Sequence, residues 1–241
     1  MARIRRFAVP DLSAAAAGAR LALPADERQH ARVLRLEAGV EIELFDPHGR
    51  VWRARLGDEA QDVELLEARE AIEVRRTPLW LATAWPKGKR ASMLVEKASE
   101  LGAARILPLR CARSVVTKDG ESEGVARLRR IAAEAAKQSG RSEVPVVEAE
   151  RSFNDLLERE AAAARIVLLD PRAPQRFADL IEEPAMDTRP WLVLVGPEGG
   201  FTAEEEARAV NAGALRARLG PHVLRVETAA LAACAAWAAR A

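Results

Sequence analysis

Two short segments near the carboxyl end limit the possible folds of this chain more than any other part of it. An apolar run at residues 192–195 ends abruptly in the glycine-rich stretch 196–200, and a second glycine-containing stretch occupies 219–229. A short apolar run bounded by glycine and proline predicts a buried strand of a parallel sheet. Because open α/β sheets bind ligands at the carboxyl ends of their strands, the two stretches predict one ligand site built from two loops.

The glycines at 196–200 match neither of the two common phosphate-binding loops. A dinucleotide fingerprint needs the spacing G-x-G-x-x-G, and a Walker loop needs Gly-Lys followed by Ser or Thr. Glu198 and Phe201 occupy the wrong places for the first, and Lys89 is followed by Arg90. Glycines can still bring bare backbone N–H and C=O groups against a flat ligand such as a nucleoside. A tight turn between strand and helix is the alternative interpretation.

Together, the two stretches resemble the signature of the SPOUT methyltransferases. The likeness is carried by 196–202 and by 219–229, with their Gly-Pro-Glu-Gly-Gly-Phe-Thr and Leu-Arg-x-Glu-Thr-Ala motifs. Within that superfamily the chain is most similar to RsmE, the bacterial 16S ribosomal RNA uridine-N3 methyltransferase family. Upstream stretches at 97–102 and 135–141 are similar to the same family in order and spacing. The likeness therefore covers nearly the whole chain.

Residues 1–75 predict a small, mainly β domain. Its strands are predicted at 5–9, 40–45, 51–56 and 64–68. A turn at 46–49 joins the second and third of them into a hairpin. A helix is predicted over 26–36, with Asp26 as its N-cap and Gly39 as its stop signal. In the resembled family this position holds a PUA-like barrel that binds RNA, and a plain β subdomain is the alternative.

From residue 76 onwards strands alternate with helices, which predicts a parallel sheet covered on both faces. The strands are predicted at 79–85, 105–109, 144–147, 166–169, 191–195 and 215–219, and the helices at 89–101, 123–139, 153–163, 175–183, 203–212 and 226–240. The resemblance adds a deep trefoil knot near the carboxyl end. The predicted fold class is α/β, a SPOUT-type parallel sheet with a C-terminal trefoil knot in domain 76–241, preceded by a PUA-like β-barrel in domain 1–75.

The last predicted helix is rich in alanine and almost free of charge until Arg240. A helix that is apolar on most sides must be buried, either in the core or against another subunit. Because the knotted domains of the resembled family pair with each other, we predict both, and hence a homodimer.

The formal net charge of the chain is +1, yet the charges are unevenly spread. Residues 84–118 contain eight Lys or Arg and two Glu, whereas acidic residues concentrate at 58–73 and 148–160. This predicts a basic face suited to a phosphate backbone, with a solvated helix face as the alternative. The resemblance implies 16S ribosomal RNA of the small ribosomal subunit as the partner, and the predicted RNA contacts are Arg3, Arg5, Arg6, Arg28, Arg32, Lys87, Lys89, Gln138 and Arg141.

The resemblance also implies S-adenosyl-L-methionine as the cofactor, held by three loops. This cofactor has no phosphate, so backbone groups and small apolar contacts suffice to hold it. The predicted contacts are Leu169, Gly196, Pro197, Gly199, Gly200, Leu219, Gly220, Leu224, Arg225, Thr228 and Ala229. A plain core role is the alternative for the three leucines.

Methyl transfer to uracil N3 sets the chemical requirements of the site. Positioning supplies much of the rate of an in-line displacement, and N3 must lose its proton. The resulting negative charge calls for a cation, for which Arg225 is the first candidate and Arg141 the second. Glu227 and Glu198 are the candidate bases, and a structural carboxylate is the alternative for each.

Cysteine and histidine usage favours a cytoplasmic protein without a metal. Cys111 and Cys234 lie in apolar contexts and predict core residues in a reducing compartment. The three histidines are far apart and form no ligand pair at metal spacing. No apolar run suffices to span a membrane, and no signal peptide is recognisable at the amino terminus, so no membrane partner is predicted.

Two other functions are compatible with the sequence. A ribose 2′-O methyltransferase of the same fold would present similar basic residues to a hydroxyl acceptor. A non-catalytic RNA-binding or ribosome-assembly protein would bind RNA without the cofactor, although the intact motifs at 196–200 and 224–229 speak against it. The sequence leaves open which uridine is methylated, which group is the base, and whether free RNA or the assembled subunit is the substrate.

Overall fold

The computed structural model describes residues 4–46, 48–69, 77–86, 88–114, 121–141, 143–182 and 188–240. The chain divides into two compact units, Met1–Val74 with Ala136–Val144, and Arg75–Ala135 with Pro145–Ala241. The predicted boundary between residues 75 and 76 lies outside the described residues, as do Arg3 and Lys87.

The first unit contains a five-stranded sheet with the order β1-β3-β4-β5-β2. Its strands are β1 (Arg5–Ala8), β2 (Arg20–Ala22), β3 (Glu41–Phe45), β4 (Val51–Leu56) and β5 (Asp62–Arg69). Strands β3, β4 and β5 form an antiparallel meander, β2 pairs antiparallel with β5, and β1 pairs parallel with β3. The predicted hairpin is therefore confirmed. Strand β2 was not predicted, because a strand of three residues is too short to show an alternation of apolar and polar side chains.

The alternation of buried side chains explains how this sheet packs. Ile42 and Leu44 of β3, with Val63 and Leu65 of β5, are almost fully buried on one side of the sheet. Strand side chains point to opposite faces in turn, so one face builds the core while the other carries the charged residues.

The helix of the first unit, α1 (Ala25–Val33), begins and ends differently from the prediction. Pro24 is its N-cap, whereas Asp26 lies in the first turn and accepts a hydrogen bond from the backbone N–H of Glu27. In the first turn, the negative charge of Asp26 still stabilises the helix through its interaction with the positive end of the helix dipole. The helix ends before Gly39 because Arg35 adopts a φ of 52°, which a continuing helix does not allow.

The second unit contains a seven-stranded parallel sheet with the order β12-β10-β11-β6-β7-β8, in which β9 also pairs with β7. Its strands are β6 (Leu79–Ala84), β7 (Arg105–Arg110), β8 (Val146–Val147), β9 (Arg151–Ser152), β10 (Arg165–Leu169), β11 (Trp191–Val195) and β12 (Leu215–Ala217). Six of them coincide with the predicted strands, and β9 was missed because it has only two residues. The predicted α/β class with a parallel sheet is confirmed.

Helices cover both faces of this sheet, as the buried strands require. They are α2 (Lys89–Glu100), α3 (Glu121–Ser139), α4 (Phe153–Glu160), α5 (Phe177–Glu182), α6 (Ala203–Asn211) and α7 (Val226–Ala238). Every residue of β11 is buried. Trp191, Val193 and Val195 join one core cluster with α7, whereas Leu192 and Leu194 join another with α4.

Helix α7 packs into the core of the second unit, as its composition predicted. Ala230, Ala233 and Cys234 are fully buried, and the ring of Trp237 lies 5.6 Å from the ring of Trp191, centroid to centroid. Whether α7 also meets a second subunit stays a prediction, as does the trefoil knot.

Cys111 and Cys234 are both buried, so the prediction that they are core residues is confirmed. Burial, assisted by the nearby Glu205 carboxylate, raises the pKa of the Cys111 thiol to about 12. Over the described ranges we found no group of three or more His, Cys, Asp or Glu residues that could hold a metal ion. Nor does any helix in those ranges have the length and apolarity needed to cross a membrane.

Candidate cofactor and methyl-transfer site

Three loops of the second unit meet at one edge of the parallel sheet. Strand β10 lies between β11 and β12, and its Leu168 pairs with Leu194 on one side and with Arg216 on the other. Because all three strands run in the same direction, the loops that follow them start from the same edge. These loops are the glycine loop (196–200), the aspartate loop (170–176) and the helix-entry loop (218–225). The structure thus places the two stretches of the sequence motif at the same edge of the sheet, one after each strand that flanks β10.

The glycine loop makes a tight turn with an exposed backbone. The N–H of Gly200 donates to the carbonyl oxygen of Pro197 at 2.8 Å, and Gly200 adopts a φ of 70°. A side chain at Gly196 would meet the ring of Phe201 at 3.0 Å, so only glycine fits there without a shift of that ring. Gly199 and Gly200 are exposed, and of their backbone groups the N–H of Gly199 and the carbonyl of Gly200 are left for a ligand, because the Gly200 N–H bonds Pro197 and the Gly199 carbonyl accepts from Arg113.

Arg113 supports the glycine loop from the segment that follows β7. Its Nη1 donates to the carbonyl oxygen of Gly199 at 2.7 Å and to that of Phe201 at 3.3 Å. Glu205 adds a second tie, because its carboxylate accepts from the N–H of Ala112 at 2.8 Å and completes a capping box with Thr202. The sequence could not reveal these contacts, since more than 80 residues separate Arg113 from its partners.

Asp170 organises the aspartate loop from a buried position at the end of β10. Burial alone would raise its pKa, but hydrogen bonds from the Arg172 N–H and from the Arg216 and Arg172 guanidiniums outweigh burial and hold the pKa below its usual value. The loop also joins the helix-entry loop, because the N–H of Arg218 donates to the carbonyl oxygen of Gln175 at 2.9 Å and its guanidinium donates to that of Ala173 at 2.7 Å.

The helix-entry loop borders a cavity of about 180 Å³. Leu219, Gly220 and Leu224, which the sequence predicted as cofactor contacts, line it. The remaining lining residues were not predicted and are Phe177, Ala178, Pro221, His222, Ala232 and Ala236. Most of these side chains are apolar, so the cavity suits the uncharged part of a ligand.

The helix-entry loop ends in Arg225, which is the N-cap of α7. Arg225 and Thr228 are exposed, and the Arg225 guanidinium has no partner among the described residues. Glu227 is only 6% exposed and lies on the buried side of the helix, where its Oε1 is 3.5 Å from Arg90 Nη1. Glu198, the other candidate base, is exposed in the glycine loop.

The other predicted contacts of the site have mixed environments. Pro197 is buried, whereas Leu169, Gly196 and Ala229 are partly buried. Their roles toward a cofactor stay predictions.

Most predicted RNA contacts in the first unit are accessible. Arg5 and Arg32 are exposed, Arg28 is partly buried, and Gln138 and Arg141 belong to the segment 136–144 of the same unit. Lys89 is exposed in the second unit.

Arg6 differs from these residues because its side chain is only 9% exposed. It pairs with Glu43 at 3.2 Å, lies over the ring of Phe45 and donates to the carbonyl oxygen of Arg141 at 2.6 Å. This environment gives Arg6 a structural role, so we leave it out of the proposed RNA surface.

A buried ion pair attaches the segment 136–144 to helix α1 of the first unit. Lys137 contacts Glu27, which is 2% exposed and also accepts from the N–H of Ala8 at 3.3 Å. Together with the bond from Arg6 to Arg141, this pair fixes the stretch that carries Gln138 and Arg141. A sequence pattern cannot reveal such a pair, because its partners are 110 residues apart.

Comparison with known proteins identifies the class to which this fold and site belong. Residues 73–238 match the model of an RNA methyltransferase domain, and residues 23–64 match that of an RNA methyltransferase PUA domain. The protein class is therefore that of RNA methyltransferases with a PUA domain.

Curated relatives give a finer assignment. The chain is 34% identical over 229 residues to ribosomal RNA small subunit methyltransferase E of Mycobacterium bovis, covering 91% of this chain and 86% of the relative. It is 32% identical to the Bacillus subtilis protein of the same name, covering 85% and 83%. The chain belongs to the family of ribosomal RNA small subunit methyltransferase E, as the sequence motifs predicted.

Solved structures agree in fold. A ribosomal RNA small subunit methyltransferase E from Neisseria gonorrhoeae, bound to S-adenosyl methionine, is 30% identical with a TM-score of 0.84, covering 97% of this chain and 96% of that one. A methyltransferase structure from Legionella pneumophila in complex with the same cofactor is 30% identical with a TM-score of 0.83, covering 99% and 98%.

Proposed function

We propose that this protein transfers a methyl group from S-adenosyl-L-methionine to N3 of a uridine in the 16S ribosomal RNA of the small subunit. The observation that carries the proposal is that the glycine loop, the aspartate loop and the helix-entry loop start from one edge of the sheet, and that Arg225 in the helix-entry loop is exposed. Membership of the methyltransferase E family supports it. We expect the reaction to occur in the cytoplasm, where small subunits are assembled.

The residues around the three loops fit this cofactor. The exposed N–H of Gly199 and carbonyl of Gly200 offer hydrogen-bonding groups to an adenosine, and the apolar cavity at Leu219 and Leu224 suits its uncharged surface. The bound cofactor would supply a methyl group on a positively charged sulfur. Arg113 and Asp170 would hold the loops in shape without contacting it.

Arg225 is the residue best placed to act on the uracil ring. When N3 loses its proton, negative charge spreads onto the two carbonyl oxygens, and a fixed guanidinium stabilises that charge. Because the Arg225 side chain has no partner among the described residues, its charge is available to a substrate. Arg141 is the second proposed cation, and Glu198 is exposed enough to meet a substrate directly.

The proposed activity can be tested with small ribosomal subunits that lack the modification. After incubation with the protein and the cofactor, mass spectrometry of RNA digests should show methyl on a uracil base. Methyl on a ribose would indicate the 2′-O reaction instead. Calorimetric titration that detects no cofactor binding would indicate a non-catalytic RNA-binding protein.

RNA binding should weaken steeply with salt. Phosphate contacts release counterions, so log affinity falls linearly with log salt by about 0.7 to 0.9 per phosphate. Combined replacement of the exposed Arg5 and Arg32 and the partly buried Arg28 by alanine should flatten that slope, as measured by filter binding between low and physiological salt. Arg159→Ala, which removes an exposed arginine from α4, serves as the control. A slope unchanged by the triple replacement would contradict this RNA surface.

We propose that the protein is a homodimer, because Val223 and Leu224 are exposed apolar residues in the helix-entry loop. Light scattering should give a mass near twice 26.2 kDa. Val223→Glu should lower that mass without unfolding the chain, since Val223 is 82% exposed. Trp237→Glu is less informative because Trp237 is 4% exposed and tests the core. A monodisperse wild-type monomer would contradict the proposal.

A further inference from the structure

Glu227 occupies an unusual position for a charged residue. It lies on the stripe of α7 that also buries Ala230, Cys234 and Trp237, and it is 6% exposed. Its Oε2 atom is buried and receives no hydrogen bond from the described residues. A buried carboxylate without compensation strongly disfavours the fold, so the position of Glu227 requires a partner charge.

Arg90 provides that charge from the first turn of α2. Its Nη1 lies 3.5 Å from Glu227 Oε1, and across the described ranges no other cation pairs with this carboxylate. The Arg90 side chain is 47% exposed, whereas that of Glu227 is 8% exposed. The pair therefore joins the surface of α2 to the buried side of α7. Its Glu227 lies two residues beyond Arg225.

We propose that Arg90 is a positioning residue for methyl transfer. By holding Glu227, it fixes the first turn of α7, and with it the N-cap Arg225 that the proposed function places against the substrate. The inference rests on that proposed function and deepens it, because it assigns Glu227 to support rather than to proton abstraction. A misplacement of about 1 Å at a reacting group can cost on the order of a hundredfold in rate.

The orientation of Glu227 favours this role over that of a base. A general base must come within about 3 Å of the proton that it removes, or reach it through one water. The Glu227 carboxylate is turned toward α2 and the core, whereas Arg225 and Thr228 are exposed. Substrate can approach the exposed side chains without displacing any buried group.

The test compares Arg90→Ala, Glu227→Gln and the double variant Arg90→Ala/Glu227→Gln in the full-length protein, with unmodified small subunits and S-adenosyl-L-methionine. Each single variant should lower kcat by about ten- to a hundredfold and leave KM for the cofactor within about threefold. The double variant should fall no further than either single one, because both remove the same interaction. Arg90→Lys should restore part of the rate.

Controls separate positioning from stability. Arg159→Ala breaks the exposed pair with Asp155 on α4, where Arg159 Nε and Asp155 Oδ1 are 2.8 Å apart, and should keep the wild-type rate. Circular dichroism checks that each variant is folded. If Arg90→Ala unfolds, Arg90→Lys and the double variant, which contains no unpaired buried charge, decide the question.

Two results would overturn this inference and leave the proposed function intact. One is a folded Arg90→Ala variant with the wild-type kcat. The other is a Glu227→Gln variant that is far slower than Arg90→Ala and recovers at higher pH, which would show that Glu227 removes the proton. A wild-type protein that makes no N3-methyluridine would instead overturn the proposed function, and the inference with it.

Discussion

Replacing Arg225 with alanine should remove nearly all methylation of the target uridine while the cofactor still binds. The side chain is exposed and has no partner among the described residues, so its removal should cost the fold little. Its charge is instead available to the uracil anion in the transition state. Loss of one such electrostatic partner costs on the order of 3 kcal/mol, or roughly a hundredfold in kcat. Calorimetry with S-adenosyl-L-methionine should still detect binding of the cofactor.

Two further variants make the Arg225 test specific. Arg225→Lys keeps the charge but loses the planar fork, so it should retain a little activity. Arg208→Ala removes another exposed arginine of the second unit, which also has no partner among the described residues, and should leave kcat unchanged. If Arg225→Ala methylates the subunit at nearly the wild-type rate, Arg225 only shapes the helix-entry loop.

The sequence predicted the sheet and helices of the second unit well because their signals are local. Residues 191–195 are an apolar run, and β11 has the same bounds, because a strand buried on both faces excludes polar side chains. The limits of α1 were less predictable. Its end depends on the left-handed conformation of Arg35, and the identity of that residue does not predict such a conformation.

The loops of the site were predictable, whereas their supports were not. Glycine at 196 and 200 is a local signal, since a side chain at 196 would meet Phe201 and residue 200 needs a positive φ. In the sequence Arg113 is one of many basic residues, and its contact with the glycine loop is visible only in the folded chain. Glu227 shows the same limit, since an acidic residue in a motif suggests catalysis until its burial is known.

Replacing Gly200 with valine should abolish cofactor binding. Gly200 adopts a φ of 70°, and a Cβ atom there would have no atom within 4 Å apart from those of Gly200 and its two chain neighbours. Valine would therefore fill space that the structure leaves open to a ligand, and its branched side chain would resist the left-handed backbone. Calorimetric affinity for S-adenosyl-L-methionine should fall by more than about a hundredfold, which corresponds to roughly 3 kcal/mol.

The matched control for backbone strain is Gly213→Val. Gly213 has a φ of 88°, also lacks neighbouring atoms within 4 Å, and lies between α6 and β12 rather than in the glycine loop. Both variants should lose a similar stability of about 1 to 3 kcal/mol, because each forces valine into a left-handed conformation. Since only Gly200 belongs to the proposed cofactor site, Gly213→Val should bind the cofactor like the wild type. Equal cofactor affinities in the two folded variants would show that the cofactor does not bind at the glycine loop.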